Sequence, residues 1–472
     1  MTSGDLRLAL ARVPLHLIGA GGVAAAIASS FTGAAGFNIE VGPVHVFAYR
    51  FCLLALLAFW LLCAATNPGR LTLVSIRPVG ALIGFFGVWC AYALLNVRMI
   101  LSVNDYLVHV GYLVAGTLLV FFTAFYCSDA KRLARLFWLL IAVVMGLLAL
   151  GVIQYTWGVQ FDISQFAEAK GPERYTPMGT FPRVNQYSAC LALGSAFLIS
   201  LVVERRNTLT TVVAVGAVIL VAYLVWLTHS RSSMLTLGFQ ILLASVAFSS
   251  SRGRRWGAAG LAFVATALFI ASSGAALSLV SDLTAVGERM YAQIVEGRAS
   301  LGVRFHLILN GLAFFKESGG LGIGAGNFNA YVDQESAFST LYNVAGDRRL
   351  ITYPHNWWIE LLAEYGVLVF GGFVLVFSSI TVQVVRVYRL HPAAPDRLLG
   401  RALSIALPGY LLASMGPGHF AGFRPQWVIL ALAVAYIAAP RHVAGPRHVA
   451  GPRPKRAVGV GSRPSVRPAT AR

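Results

Sequence analysis

Three arginines lie where a negatively charged oxygen could be bound. Arg231 falls in the hydroxyl-rich segment 228–233 (THSRSS) and Arg183 in the segment 181–185 (FPRVN), each at the start of an apolar stretch. A guanidinium is planar, always charged and able to grip two phosphate oxygens at once. For both residues the alternative is an interfacial arginine whose charge reaches the lipid head groups. Arg304 lies in a segment with helical periodicity, where a solvated surface arginine is the alternative.

His355 is the candidate proton acceptor. It follows Pro354 and precedes an apolar stretch that begins with Trp357. A neutral imidazole can take a proton from a hydroxyl group near neutral pH, as a general base does, and a helix N-terminus nearby would keep it neutral. The alternative is an interfacial histidine in an aromatic belt. Glu360 and Glu364, one helical turn apart, favour structural pairing with an arginine inside the bundle over catalysis.

The glycine-rich run 320–326 (GLGIGAG) resembles a nucleotide-binding loop only superficially. The pattern of strand, loop and helix that such a loop needs does not surround it, so we predict a tight turn in which glycine permits positive φ. The sequence has no HExxH or CxxC motif and no acidic pair with metal-ligand spacing, which predicts neither a metal site nor a cofactor. The cysteines are predicted to be small apolar filler. They are Cys52, Cys63, Cys90, Cys127 and Cys190.

The composition of the chain indicates the kind of structure that holds these residues in place. The chain of 472 residues is 57% hydrophobic and 12% charged, with a mean hydropathy of +0.71. Soluble domains are about one quarter charged, and the apolar residues here lie in blocks long enough to cross a bilayer. We therefore predict an all-α polytopic membrane protein of about 12 transmembrane helices. The net charge of +19 does not indicate nucleic-acid binding, because the basic residues lie between apolar blocks and in the C-terminal tail.

The apolar blocks give the predicted spans. They are 14–35, 44–65, 74–95, 104–127, 134–157, 183–203, 208–228, 232–250, 256–280, 355–385, 399–416 and 424–440. Lysine and arginine concentrate in alternate connections, which by the positive-inside rule are cytoplasmic. Both termini are then cytoplasmic, and the candidate residues face the periplasm from the bacterial inner membrane.

Four regions follow along the chain. Residues 1–280 carry the first nine spans, and residues 281–354 form a large periplasmic loop with helical periodicity over 287–317. Residues 355–440 carry the last three spans. Residues 441–472 repeat RHVAGP and are rich in arginine and proline, which predicts a disordered basic tail drawn to anionic membrane lipids.

Several of these motifs together resemble the O-antigen ligase superfamily. They are HSRSS at 229–233, Arg304, GLGIGAGNF at 320–328 and HNWWIELLAEYG at 355–366, supported by RVN at 183–185. The superfamily contains lipopolysaccharide O-antigen ligases, O-antigen polymerases and O-linked oligosaccharyltransferases. The long basic tail is not an expected family feature.

The resemblance implies a glycosyltransferase of lipopolysaccharide biosynthesis that is inverting and independent of metal. The donor would be a glycan on undecaprenyl pyrophosphate and the acceptor a sugar of the lipid A-core. Arg231 and Arg304 would bind the pyrophosphate and stabilise it as it leaves, and His355 would activate the acceptor hydroxyl. In addition, Asn356 and Tyr353 would orient the histidine, and Arg183 would assist with the donor.

Two other functions stay open at this point. A polymerase that joins two lipid-linked repeats, or an oligosaccharyltransferase that modifies protein, would use the same donor and differ only in the acceptor. A transporter of twelve spans is a candidate from another class. Transporters often carry internal repeats and broken helices at the middle of the bilayer. No internal repeat matching the two halves is visible here, and the candidate polar residues cluster near one membrane surface rather than at the middle of the bilayer.

Overall fold

The fold is known from a computed structural model. It describes residues 15–32, 38–41, 44–66, 73–161, 171–204, 207–248, 300–334 and 354–440 except 393, with a few single residues between 161 and 171. The helices in this part of the chain are α1 Leu15–Ser29, α2 Ala48–Thr66, α3 Gly80–Leu95, α4 Val103–Cys127, α5 Ala130–Trp157, α6 Val184–Glu204, α7 Thr208–Leu227, α8 Arg231–Phe248, α9 Ser300–Glu317, α10 Phe328–Gln334, α11 Trp357–Leu390, α12 Arg397–Ala413 and α13 Arg424–Ala438. Two 3-10 helices, Leu73–Val79 and Pro172–Tyr175, and one hairpin of strands β1 Asn38–Val41 and β2 Val44–Phe47 complete it.

The predicted all-α membrane class is confirmed. Within the described residues, eight helices are long and apolar enough to span a membrane, and α1 and α13 are shorter apolar helices. A helix satisfies every backbone hydrogen bond internally, which is what a hydrocarbon environment requires of an apolar segment. Eleven of the twelve predicted spans coincide with an observed helix, while span 256–280 and the start of the helical segment 287–317 lie outside the described residues. The count of twelve, the division into four regions and the disordered tail remain predictions.

Two local predictions need correction. The second span was predicted from residue 44, but residues 44–47 form strand β2, antiparallel to β1. Val44 and Val46 alternate with His45 and Phe47, and β-branched residues at this spacing favour a strand over a helix. In the tenth span, α11 is interrupted at Gly366, whose backbone is not helical.

The core lies between helices that touch neighbours on several sides. Helix α13 packs on α4, α12 packs on α6, and α6 packs on α7 and α8. Most side chains of α6 and nearly all of those of α13 are buried. Gly116 allows α4 to approach α13, because a Cβ there would lie 2.2 Å from the ring of Trp427. By contrast, α7 carries exposed apolar side chains such as Leu209 and Ile219, as expected of a lipid-facing helix.

Long-range contacts sort the helix ends into two groups. One group is here called the site end. In it, His355 at the start of α11 contacts Gly416 in the α12–α13 connection. Gly322, in the loop after α9, contacts Asn96 at the end of α3. The opposite end joins the start of α12 to the end of α6, where Arg401 contacts Glu204. Helices α6, α11 and α12, whose two ends both take part in such contacts, therefore run from one end to the other.

Candidate active site at the site end

His355 is held in a constrained backbone position at the start of α11. Its φ is +47°, and among the described non-glycine residues only His229 shares a positive φ. Such conformations cost about 1–3 kcal/mol and are concentrated at functional sites. The strain falls on the two segments from which the sequence predicts chemistry: His355 itself, and the HSRSS segment that begins with His229.

The ring of His355 is oriented by the α12–α13 connection. Its Nδ1 lies 3.1 Å from the carbonyl oxygen of Gly416. Because a carbonyl oxygen can only accept, Nδ1 carries the proton, and in the neutral imidazole Nε2 keeps its lone pair. Next along the chain, Asn356 caps α11, since its side-chain oxygen accepts from the backbone N–H groups of Trp358 and Ile359 at 3.1 and 3.4 Å. The fold thus fixes the tautomer of the neutral His355 ring, with the proton on Nδ1.

Gly416 brings three of the predicted motifs together. A Cβ at this glycine would lie 2.9 Å from Oγ of Ser232 and 3.8 Å from the backbone oxygen of Asn185. Ser232 follows Arg231 in HSRSS, and Asn185 belongs to the RVN segment at the start of α6. The carbonyl group of the same glycine contacts His355. The starts of α6, α8 and α11 therefore converge on one backbone position.

Serine hydroxyl groups tie the starts of α6 and α8 to each other. Oγ of Ser233 donates to Oγ of Ser188 at 2.9 Å and lies 3.0 Å from Oγ of Ser230. These hydroxyl groups are buried, while Arg231 and Arg183 at the same helix starts are exposed. The buried serines fix the backbone, and the two arginine side chains keep exposed surface at the same helix starts.

Two predicted residues are located only in part or not at all. Arg304 lies in α9, but its side chain is outside the described residues, and Tyr353 lies wholly outside them. Helix α9 packs against α11, where Gly311 leaves room for Ile359, since a Cβ at Gly311 would lie 2.3 Å from its Cγ2. Arg304 is therefore on a helix that contacts the helix headed by His355.

The glycine-rich run has the positive φ values of the turn that the sequence predicts, and it also packs against α11. Gly320, Gly322, Gly324 and Gly326 all have positive φ. The N–H groups of Ile323 and Gly324 donate to the carbonyl groups of Ala363 and Glu364, both at 2.9 Å. Those carbonyl groups lack helical partners because α11 is interrupted at Gly366, so the run completes the backbone hydrogen bonding of the broken helix.

The two buried glutamates of α11 do not pair with arginine in the contacts that the structure describes. The carboxylate of Glu364 accepts from the N–H groups of Gly326 and Phe328, at 2.9 and 3.3 Å. The carboxylate of Glu360 accepts from the N–H of Phe420 at 2.8 Å, and its other oxygen lies 3.6 Å from Nδ1 of His419. The predicted structural role is kept, with backbone N–H groups in place of the expected arginine.

Sequence reasoning missed two histidines beside this site. Nε2 of His109 lies 3.2 Å from Nδ1 of His419, which is in the α12–α13 connection. Burial lowers the pKa of His419 to about 3, and the nearby Arg183 guanidinium and His355 lower this pKa as well. His419 is therefore neutral at physiological pH. Nothing in the spacing could reveal the pair, since the two histidines are 310 residues apart.

Comparisons with known proteins agree with the predicted resemblance. Residues 216–374 match the sequence profile of the family described as O-antigen ligase. The chain is also 24% identical over 429 residues to the teichuronic acid biosynthesis protein TuaE of Bacillus subtilis (strain 168), covering 87% of this chain and 82% of that protein. The resemblance to the O-antigen ligase superfamily is confirmed, and the matched region includes Arg231, Arg304 and His355. Together these findings support a membrane glycosyltransferase of the ligase and polymerase type.

Proposed function

From this resemblance and the geometry of the site end, we propose that the protein transfers a glycan from undecaprenyl pyrophosphate to a sugar hydroxyl of the lipid A-core. The reaction takes place at the periplasmic face of the inner membrane, inverts the anomeric carbon and uses no metal at the reacting atoms. One observation carries the proposal: three of the predicted motifs meet at Gly416. They meet there through His355, through Ser232 beside Arg231, and through Asn185 of the RVN segment.

His355 is the proposed general base. The acceptor oxygen attacks the anomeric carbon of the donor while its proton passes to Nε2 of His355, and the bond from that carbon to the pyrophosphate oxygen breaks. The Gly416 carbonyl supports this role because it holds the proton on Nδ1 and leaves Nε2 able to accept. A single displacement of this kind inverts the configuration at the carbon.

The arginines are the proposed stabilisers of the leaving group. Negative charge develops on the pyrophosphate as the bond breaks, and fixed positive charge there lowers the barrier without a metal. Arg231 lies at the positive N-terminus of α8, which adds to its field. Arg304 is proposed to bind the same pyrophosphate and Arg183 to assist it. Asn356 and Tyr353 are proposed to orient His355 and the substrate around it.

A second candidate uses the same donor with another acceptor. The similar protein of Bacillus subtilis is named for the biosynthesis of teichuronic acid rather than of O-antigen, which favours an enzyme that joins two lipid-linked glycans. A protein O-oligosaccharyltransferase would also share the donor chemistry. A transporter is the weaker candidate, since His355, Arg231 and Arg183 stand at helix starts at one end of the bundle.

Reconstituted transfer tests the proposal. The purified full chain in lipid vesicles is given a lipid-pyrophosphate-linked glycan and, in separate reactions, lipid A-core, a second lipid-linked glycan or an acceptor protein. Product with lipid A-core alone supports the ligase, and product with the second glycan alone supports the polymerase. Absence of product with every acceptor, from folded protein, would contradict glycosyl transfer.

A further inference from the structure

The histidine pair and a buried carboxylate form one compact group of donor atoms. His109 lies on α4, Glu360 on α11 and His419 in the α12–α13 connection, and one ligand atom from each lies within 4.8 Å of the other two. His109 Nε2 and His419 Nδ1 are 3.2 Å apart, and His419 Nδ1 is 3.6 Å from a Glu360 oxygen. The residues come from three elements that meet at the site end.

In His109 and Glu360 the outer atom is held by a backbone group, and the inner atom faces the other members of the group. Nδ1 of His109 lies 2.8 Å from the backbone oxygen of Asp105 and must donate to it, which leaves a lone pair on Nε2. The second oxygen of Glu360 accepts from the N–H of Phe420 at 2.8 Å. A carbonyl group that fixes the tautomer of a histidine and a hydrogen bond that fixes a carboxylate are the usual outer partners of a metal-binding group.

The spacing of the inner atoms suits a tetrahedral ion. With metal–nitrogen and metal–oxygen bonds of 2.0–2.2 Å, neighbouring ligand atoms of a tetrahedral site lie roughly 3.3–3.6 Å apart. The two separations in the structure, 3.2 and 3.6 Å, lie at or close to this range. Glu360 is only 1% exposed, and a carboxylate so deeply buried calls for a positive charge or a proton beside it.

We propose that His109, Glu360 and His419 bind one divalent transition-metal ion of the zinc type. Two imidazoles and one carboxylate favour zinc over magnesium or calcium, which prefer oxygen ligands alone. The ion ties α4, α11 and the α12–α13 connection together and does not touch the proposed donor. The inference is independent of the proposed function, and it revises the sequence-based prediction of no metal site.

The position of the ion gives it a structural consequence for the candidate base. Glu360 lies one helical turn after the N-cap Asn356, and His419 lies three residues after Gly416, whose carbonyl orients His355. An ion bound to Glu360 and His419 therefore fixes α11, which His355 precedes, relative to the connection that carries Gly416. The ion would hold His355 in position and would not contact the reacting atoms.

Metal analysis of the untagged full chain tests the proposal, because a polyhistidine tag would bind zinc itself. Protein purified in detergent from zinc-supplemented cells and desalted is expected to contain on the order of one zinc per chain, since the three ligands form one site. Protein from cobalt-supplemented cells is expected to show the intense visible absorption of tetrahedral Co²⁺. Wild-type protein with neither zinc nor this absorption would overturn the proposal and leave a hydrogen bond between the two histidines.

Glu360→Gln removes the charged ligand, and Glu364→Gln is its matched control. Both glutamates are buried on α11 one turn apart and accept backbone N–H groups, but Glu364 is not part of the group. Zinc affinity should fall by more than about 100-fold in Glu360→Gln, because even an outer partner is worth 10–100-fold. Equal zinc in both variants would overturn the assignment. His419→Gln, in a connection rather than a helix, repeats the test if Glu360→Gln does not fold.

The same samples separate this proposal from the proposed function. If a variant loses zinc and still transfers glycan, the proposed function stands without the zinc site. If the wild-type chain binds zinc but transfers no glycan to any acceptor, the zinc site stands without the proposed function. Addition of zinc to chelator-stripped protein should raise the midpoint of thermal unfolding of wild type and Glu364→Gln but not of Glu360→Gln. No rise in the stripped wild type would contradict a structural ion.

Discussion

Arginine is used differently at the two ends of the bundle. At the opposite end, the side chain of Arg401 is 5% exposed, pairs with Glu204 at 2.7 Å and donates to the carbonyl of Ser200 at 3.2 Å. At the site end, Arg231 and Arg183 are exposed at the first turns of α8 and α6. A buried cation must be neutralised inside the protein, whereas an exposed cation at a helix start can meet a ligand. The first arrangement holds helices together, and the second suits recognition of a phosphate.

Backbone strain follows the same division. The positive φ values of His229 and His355 both lie at the site end, next to the exposed arginines. At the opposite end, the start of α5 is capped in the ordinary way, where the side chain of Asp129 accepts from the N–H groups of Lys131 and Arg132 at 3.0 and 3.1 Å. Strain that persists in one region of a fold points to function there. Substitutions at each end test whether the two ends differ in function.

Replacement of His355 by Ala should have the largest effect. Loss of a general base lowers turnover by about 10²–10⁴-fold, and Nε2 is the proposed proton acceptor. Turnover in reconstituted transfer is the measurement, with expression and thermal unfolding checked alongside. His391→Ala, at the other end of α11, is the control and should transfer at the wild-type rate. Full activity of His355→Ala would contradict the assignment of His355 as the general base.

Replacement of Arg231 by Ala should lower turnover by about 10²–10³-fold, the range seen when one group that stabilises developing charge is removed. Arg231→Lys keeps the charge but loses the planar fork, so its turnover should lie between those of Ala and wild type. Because the side chain is exposed, the thermal midpoint should change little in either variant. A large loss of stability with normal turnover of the folded fraction would assign Arg231 a structural role, like that of Arg401.

Replacement of Gly416 by Ala tests the convergence of the motifs. The new methyl group would lie 2.9 Å from Oγ of Ser232, so Ser232 or the connection must shift by a fraction of an ångström. A displacement of 1 Å can cost 10²-fold, and we expect about a tenfold loss of turnover from this smaller shift. Gly422→Ala is the matched control in the same connection, since its nearest contact would be an ordinary 3.5 Å. Equal turnover of the two variants would argue against Gly416 as the junction.

Replacement of Arg401 by Met should affect stability and leave chemistry alone. The substitution removes hydrogen bonds from a charged donor, each worth about 1.5–3 kcal/mol. The Glu204 side chain is already 28% exposed, so water can replace part of what it loses. We expect destabilisation of about 2 kcal/mol, measured by denaturant unfolding in detergent. Turnover per folded molecule should stay at the wild-type value. A fall in turnover at unchanged stability would mean that the two ends are not functionally distinct.

Hydropathy along the chain is enough to locate most of the helices and the residues at their starts. An apolar segment in hydrocarbon has few alternatives to a helix, so local hydropathy located eleven of the observed helices from composition alone. Glycine conformation is also local, which is why the run 320–326 was correctly predicted as a turn. His355, Arg231 and Arg183 were identified because each begins an apolar stretch, and each stands at or next to the start of a helix in the structure.

Which of these residues meet depends on how the helices pack, and the sequence does not show that. The contact of His355 with Gly416, the backbone partners of Glu360 and Glu364, and the approach of His109 to His419 all depend on how helices distant along the chain cross. Periodicity within one segment carries no information about the segment packed against it. Side-chain shape decides that packing, as where Gly116 admits the ring of Trp427 and lets α13 settle on α4.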